Sequence, residues 1–385
     1  MPATAELSES AGLLRDLVAL PSVNPMGRAL QSPNLFEHRV TDYLERFFKN
    51  LGVRYERQPV APQRENIVAY LEGTGERMYV WEAHQDTVPT DNMSIDPFGA
   101  RVENGKLYGR GACDIKGGMA AMLGAFARLA REKPRGAAPI TMACTVDEEF
   151  TFLGVQRLVK GLKADGAVVA EPTQLQIVKA HKGVVRWSVV ATGRSCHSSS
   201  PEKGINAIYR MGRLLGAIEQ FADEMRQSRQ DPLLGPPTLS VGRIEGGTSV
   251  NTVPDRCRIE VDRRVIPGED PMAASGELDK FLRERARIEF PYEIEPTWLA
   301  APALSPEGSA DLIARLGGAI KAVEGSFAVG AVPYGTDAAP IANAGIPAVV
   351  FGPGDIAQAH TCDEWVALEQ IDRASEILYR FATAS

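Results

Sequence analysis

The chain has 385 residues, 44% hydrophobic and 24% charged, with a formal net charge of -7 and a pI near 5.5. Its length exceeds one ordinary core, so two or three domains are expected, and its composition excludes a disordered or fibrous chain. The acidic balance excludes the basic stripe needed for nucleic-acid binding. No stretch approaches the roughly 18 apolar residues of a membrane span, and the start MPATAELSES lacks the basic and apolar regions of a secretory signal, which predicts a cytoplasmic protein acting on small molecules. The five cysteines include no C-x-x-C pair, so neither a disulfide framework nor a thiolate zinc site is expected.

Apolar spacing at Leu13, Leu14, Leu17 and Val18 predicts a helix over 8–18 that stops at Pro21, and a second helix over 34–51 ends at Gly52. Strand-like runs at 66–72 and 78–83 precede a Pro- and Gly-punctuated loop at 88–111. Then come a helix over 116–131, a strand at 139–146, a short helix at 152–161 and a strand at 166–170. This alternation predicts an α/β fold, a mainly parallel sheet with helices on both faces.

After His181, Lys182 and Gly183 the run VVRWSVVATG alternates with period two, as in a sheet with one wet face. Strand 184–192, helix 203–222, strands 238–245 and 256–265, helix 271–286 and strand 287–298 give the order of a ferredoxin-like β-α-β-β-α-β layer. Such a layer leaves a face or edge to cover, which predicts a homodimer through residues 183–297. The first texture returns with a helix at 307–323, a turn at 334–337 opening a helix to 344, a strand at 346–351 and a closing helix at 367–383. The expected organisation is a discontinuous catalytic domain, 1–182 and 298–385, interrupted by a lid and dimerisation domain, 183–297.

Four predicted strands end in residues that ligate metals. Run 140–146 ends in Asp147, Glu148 and Glu149, MYVWEA ends in His84, Gln85 and Asp86, GAVVA ends in Glu171, and IPAVVF enters a loop that reaches His360. In an open α/β sheet, ligands bind beyond the carboxyl ends of the strands, and adjacent carboxylates repel unless cations hold them. Asp114, in GRGACDIKGG, stands where a G-x-G-x-x-G loop needs glycine, and no Walker loop is present. At the start of a helix it serves either as a cap favoured by the helix dipole or as a bridge between two metals. Cys113 and Cys362 lie nearby, but a hard, carboxylate-rich set disfavours thiolate ligation.

The motifs His84-x-Asp86, Gly-x-x-Asp114-x-Lys-Gly-Gly, Glu148-Glu149, Glu171-Pro172 and His360-Thr361 resemble the set of the M20 metallopeptidase and deacylase family. AEPTQLQIVKAHKG, SCHSS before KGINAI, and GPGDIAQAH are most similar to its acetylornithine deacetylase and succinyl-diaminopimelate desuccinylase branches. The resemblance implies that His84, Asp114 and Glu171 hold one metal ion while Asp114, Glu149 and His360 hold a second, with zinc first and cobalt or manganese as alternatives. It further implies that Asp86 orients the His84 imidazole, that Glu148 is the general base toward metal-activated water, and that His197 reaches a partner subunit's site to steady the oxyanion. Asn251 and Arg264 match substrate-contacting positions, although Arg263 beside Arg264 leaves open which arginine faces the substrate. The implied substrate is a small N-acyl amino acid, with a dipeptide or carboxypeptidase substrate as the alternative. The turn Tyr334-Gly335-Thr336-Asp337 is closer to the desuccinylase and dipeptidase version, and Cys196 replaces a glycine often found before the lid histidine.

Overall fold

The computed structural model describes residues 7–384. The chain forms two compact units. One gathers the chain up to Lys179, Pro306–Gly330 and everything from Thr336 onward; the other gathers Ala180–Ser305 and Ala331–Gly335.

In the first unit an eight-stranded sheet runs in the order Arg54–Ala61, Arg64–Leu71, Ile140–Thr145, Tyr79–His84, Gly166–Val169, Ala348–Val350, Ile177–His181, Val329–Val332. Parallel pairing joins Ile140–Thr145, Tyr79–His84, Gly166–Val169 and Ala348–Val350, whereas Arg64–Leu71 and Ile177–His181 flank them antiparallel. The first three of these central strands are buried along their whole length, as strands covered on both faces must be. Helix Glu9–Val18 starts where Ser8 Oγ accepts the Ala11 amide at 3.1 Å, and it packs against the buried helix Lys116–Glu132. At Gly118 an added Cβ would lie 2.9 Å from the Ala170 Cβ. Only glycine lets the helix that follows Asp114 lie this close to the strand end that delivers Glu171.

Several expectations change, among them the loop at 88–111, which carries the short strands Arg101–Glu103 and Lys106–Tyr108. The second helix is His38–Leu51, because residues 34–37 form a loop in which Phe36 takes φ 64 and Val23 bridges Leu35. The strand Arg54–Ala61 went unpredicted: it is a polar edge containing Pro59, without the apolar alternation that marks a half-buried strand. The expected strand at 287–298 is two short ones, Tyr292–Ile294 and Leu299–Ala301, both paired with Gly183–Thr192.

In the second unit the antiparallel sheet runs Thr238–Gly246, Arg256–Val265, Gly183–Thr192, Tyr292–Ile294. Helices Ala207–Ser228 and Ala274–Glu284 share one core with Trp187, Val189, Ile259 and Val261. Residues of opposite parity on the same strands make ion pairs, Arg186 with Asp262 at 2.8 Å and Arg258 with Glu295 at 3.0 Å, as expected for the wet face.

Candidate metal centre

Parallel pairing places the carboxyl ends of three central strands at one edge of the sheet. His84 stands opposite Thr145 at the end of its strand, Asp147, Glu148 and Glu149 follow Thr145, and Glu171 follows Gly166–Val169. Asp114 arrives on the turn before Lys116–Glu132, and His360 on the loop after the short turn Ile356–Gln358. The Asp114 carboxylate lies between two imidazoles: Oδ1 is 3.3 Å from His84 Nε2 and Oδ2 is 3.3 Å from His360 Nε2, which is also 3.3 Å from Glu149 Oε1. Two ligand triads result, His84–Asp114–Glu171 and Asp114–Glu149–His360, each with its donor atoms within 4.8 Å of one another. Glu148 belongs to neither and is buried beside them.

The electrostatics of the cluster favour positive charge. Burial, then the neighbouring Glu171, Glu149 and Asp114 carboxylates, push Glu148 well above the ordinary carboxyl range. Burial and Asp114 raise Glu171 as well. Burial works against charge on His360, yet hydrogen bonds to Asp114 and Glu149 push it up to about 11, and His84 is likewise raised by Asp114 and Asp86 against its burial. Crowded buried carboxylates beside imidazoles drawn toward their protonated form make a cluster that favours positive charge. Hard oxygen and imidazole donors in two triads sharing one carboxylate suit a pair of divalent ions. Cys113 offers no thiolate: burial and then Glu364 raise its thiol, which lies 3.3 Å from the Asp355 carbonyl.

Several supporting residues carried no motif. The nearest partner of His84 Nδ1 is the Asp86 carbonyl oxygen at 3.0 Å, with the carboxylate at 3.6 Å. That carboxylate instead accepts the amides of Glu148 at 3.1 Å and Glu149 at 3.2 Å, and Asn24 Nδ2 at 2.8 Å. Behind it, Arg64 is bonded to both Glu37 oxygens and to Asp147 at 2.5 Å. A second group, Arg110, Glu364 and Asn92, stands behind Asp114 and His360. A third holds Thr145 Oγ1 at 2.6 Å from Glu82 and 3.0 Å from Asp337. Buried acids such as Glu82 and Glu364 inside apolar surroundings were the one available signal, because a charge there needs a partner.

The remaining predicted residues belong to the second unit. His197 and Asn251 lie side by side, the Asn251 carbonyl accepting the Ser198 amide at 3.0 Å, and His197 Nδ1 is 2.8 Å from Ser199 Oγ. Arg264 is near the other end of strand Arg256–Val265, roughly 26 Å from Arg256 at the rise of an extended strand. Arg263 is buried and paired with Glu277 at 2.8 Å and Glu269 at 3.1 Å, whereas Arg264 is partly exposed and meets Asp262 at 2.7 Å. A structural ion pair therefore occupies Arg263, and Arg264 is the arginine with an open side.

An α/β sheet with carboxylates and imidazoles gathered at its carboxyl edge is the arrangement of a metal-binding α/β enzyme. The chain belongs to peptidase family M20/M25/M40, whose pattern matches residues 80–384. It is 34% identical to an acetylornithine deacetylase of Myxococcus xanthus over 88% of this chain and 90% of that protein. Its fold resembles an M20 family metallo-carboxypeptidase of Sulfolobus solfataricus, at TM-score 0.79 and 19% identity over 98% of this chain and 99% of the other. It also resembles a dinuclear metal-binding M20 peptidase of Bacillus subtilis, at TM-score 0.66 and 17% identity over 97% and 96% of the two chains.

Proposed function

We propose that the chain is a two-metal amide hydrolase that removes the acyl group from N-acyl amino acids, N-acetylornithine first among them. The observation that carries this reading is a pair of ligand triads sharing Asp114, with the Glu148 carboxylate buried beside them and belonging to neither. When bound, paired divalent ions acidify water and polarise an amide carbonyl, and zinc, cobalt and manganese all suit the donors. Glu148 takes the proton of the attacking water and delivers it to the leaving amine, a role favoured by its burial and raised pKa. Arg264 is the candidate partner for the substrate α-carboxylate, with Asn251 beside His197 contributing to substrate contact.

The substrate class is supported by deacetylase relatives spanning most of the chain, whereas the peptidase likenesses, at 19% and 17% identity, speak for fold alone. Ornithine as product would place the reaction in arginine biosynthesis. The unit formed largely by 180–305 is proposed as lid and dimerisation domain: its edge strand Thr238–Gly246 is mostly exposed and pairs on one side with Arg256–Val265. His197 would then serve the partner subunit's site. Five unpaired cysteines favour the reducing cytoplasm, and among the described residues no helix is long and apolar enough to cross a membrane.

Acetate release from N-acetylornithine, abolished by a chelator and restored by zinc or cobalt, is the deciding assay. Failure to release acid from any N-acyl amino acid would overturn the reading, and cleavage of dipeptides alone in a parallel panel would transfer the chain to the peptidases.

A further inference from the structure

Glu364 is fully buried, lies outside both triads, and has each of its oxygens occupied. Oε1 accepts the amides of Cys113 at 2.9 Å and Asp114 at 3.0 Å, and Oε2 accepts the amide of Gly111 at 3.1 Å. Oε2 also receives Arg110 Nη1 at 2.7 Å. The same guanidinium donates through Nη2 to Asn92 Oδ1 at 2.9 Å, and Asn92 Nδ2 donates to the main-chain oxygen of His360 at 2.9 Å. A continuous chain of four bonds, three of them charge-assisted, therefore runs from the Asp114 amide to the His360 carbonyl. His360 needs such support: its φ of 59 is left-handed, uncommon for a residue with a side chain, and its side chain is 52% exposed.

We infer that Glu364, Arg110 and Asn92 act as one positioning unit for the Asp114–Glu149–His360 site. It holds two of that site's three ligands but one of the three in His84–Asp114–Glu171, where Asp86 supports His84 instead. The inference rests on the two-metal reading and concerns how tightly each ion is held. Partners behind metal ligands set affinity because a ligand free to wander must be ordered on binding.

The test is titration of chelator-stripped protein with cobalt, followed by calorimetry and absorbance. The wild type is expected to take up two ions in two steps, and the step lost in His360→Ala identifies the second site. Asn92→Ala, a surface change that leaves the fold intact, should weaken that step about 10-fold and the other by less than about 2-fold. Glu364→Gln offers one acceptor oxygen where the carboxylate offers two, and should weaken the second site by up to about 100-fold and the first by less. Unchanged titrations, or equal weakening of both steps as general destabilisation would give, overturn the positioning unit. A wild type that takes up no second ion overturns the two-metal reading itself, and the positioning unit with it.

Discussion

Asp86→Ala tests whether the catalytic turn is held by the bonds described above. The Asp86 carboxylate is fully buried and receives the amides of Glu148 at 3.1 Å and Glu149 at 3.2 Å, together with Asn24 Nδ2 at 2.8 Å. Asn24 keeps Asp147 at 2.9 Å after the substitution, so two backbone donors lose their partner. At ~1–3 kcal/mol for each buried donor left unpaired, the cost is ~2–6 kcal/mol. A second route gives a similar figure. Burial alone would raise the Asp86 carboxyl, but the neighbouring His84 imidazole, the charge of Arg64 and the Asn24 bond bring it down from 3.8 to about 2. That depression contributes ~2 kcal/mol, present above pH 3.8 and lost as the pH falls toward 2. Loss of the Asp86 charge also relieves Glu37, which burial and then that charge push up to about 7, so the lower half of the range is expected. Urea denaturation of chelator-stripped protein at pH 7 measures the difference without a metal contribution. A change below ~0.5 kcal/mol, the size of an ordinary surface substitution, would refute the claim that these bonds hold the turn.

Glu148→Gln should keep full metal content by elemental analysis while turnover falls by roughly 10²–10⁴-fold, the usual contribution of a general base. Buried His181, lowered from 6.5 to about 4 by desolvation, stays neutral in the fold while the unfolded chain binds its proton below pH 6.5. The stability it confers is complete above 6.5 and falls by ~3 kcal/mol as the pH drops to 4, so His181→Gln should show a shallower acid slope in urea melts between pH 7 and 4.5. The neighbouring arginines should separate: Arg264→Met raises KM for substrates with a free carboxylate and leaves melting unchanged. Arg263→Met costs ~3 kcal/mol, the low end for breaking a buried pair because Arg229 keeps Glu269 and Glu277 company, and equal melting temperatures for the two variants would contradict the assignment.

What could be read from the chain was what sits on a periodic element or at its end. His84, Glu149 and Glu171 follow buried apolar runs, and the parallel register brings those ends together, so their convergence was legible from pattern plus sheet geometry, whereas Asp114, His360 and the division into two ligand sets came from the resemblance to the M20 family. Asn24 and Arg64 meet Asp86 and Asp147 across 62 and 83 residues, and Arg110 meets Glu364 across 254. Such pairs have no spacing to read, and each member taken alone looks like an exposed charge or amide. The strand Arg54–Ala61 escaped for the opposite reason, since an edge strand needs no apolar face to be paired. Period two said that Arg263 and Arg264 point apart without saying which points inward; the glutamates from the neighbouring helix and turn decide that.

Three consecutive acids illustrate how one turn divides chemistry among like residues. Asp147 takes φ 66, its carbonyl accepts the Phe152 amide at 2.7 Å, and its carboxylate is consumed by Asn24, Arg64 and Thr151. It is the post on which the turn is built, and its charge is neutralised where it stands. The amides of the next two residues are then pinned to opposite oxygens of Asp86. With both amides fixed, the Glu149 side chain goes to His360, while Glu148 remains buried among the ligands without joining either triad. A base that made a close bond to either histidine would have its lone pair occupied and its pKa pulled down. Keeping Glu148 out of both triads, yet beside the Glu171, Glu149 and Asp114 carboxylates that with burial raise its affinity for a proton, leaves it free for the proposed role of base. On the proposed assignment, the separation of ligand from base is a property of the backbone pinned by Asp86, which is why that residue, rather than any ligand, is the place to perturb first.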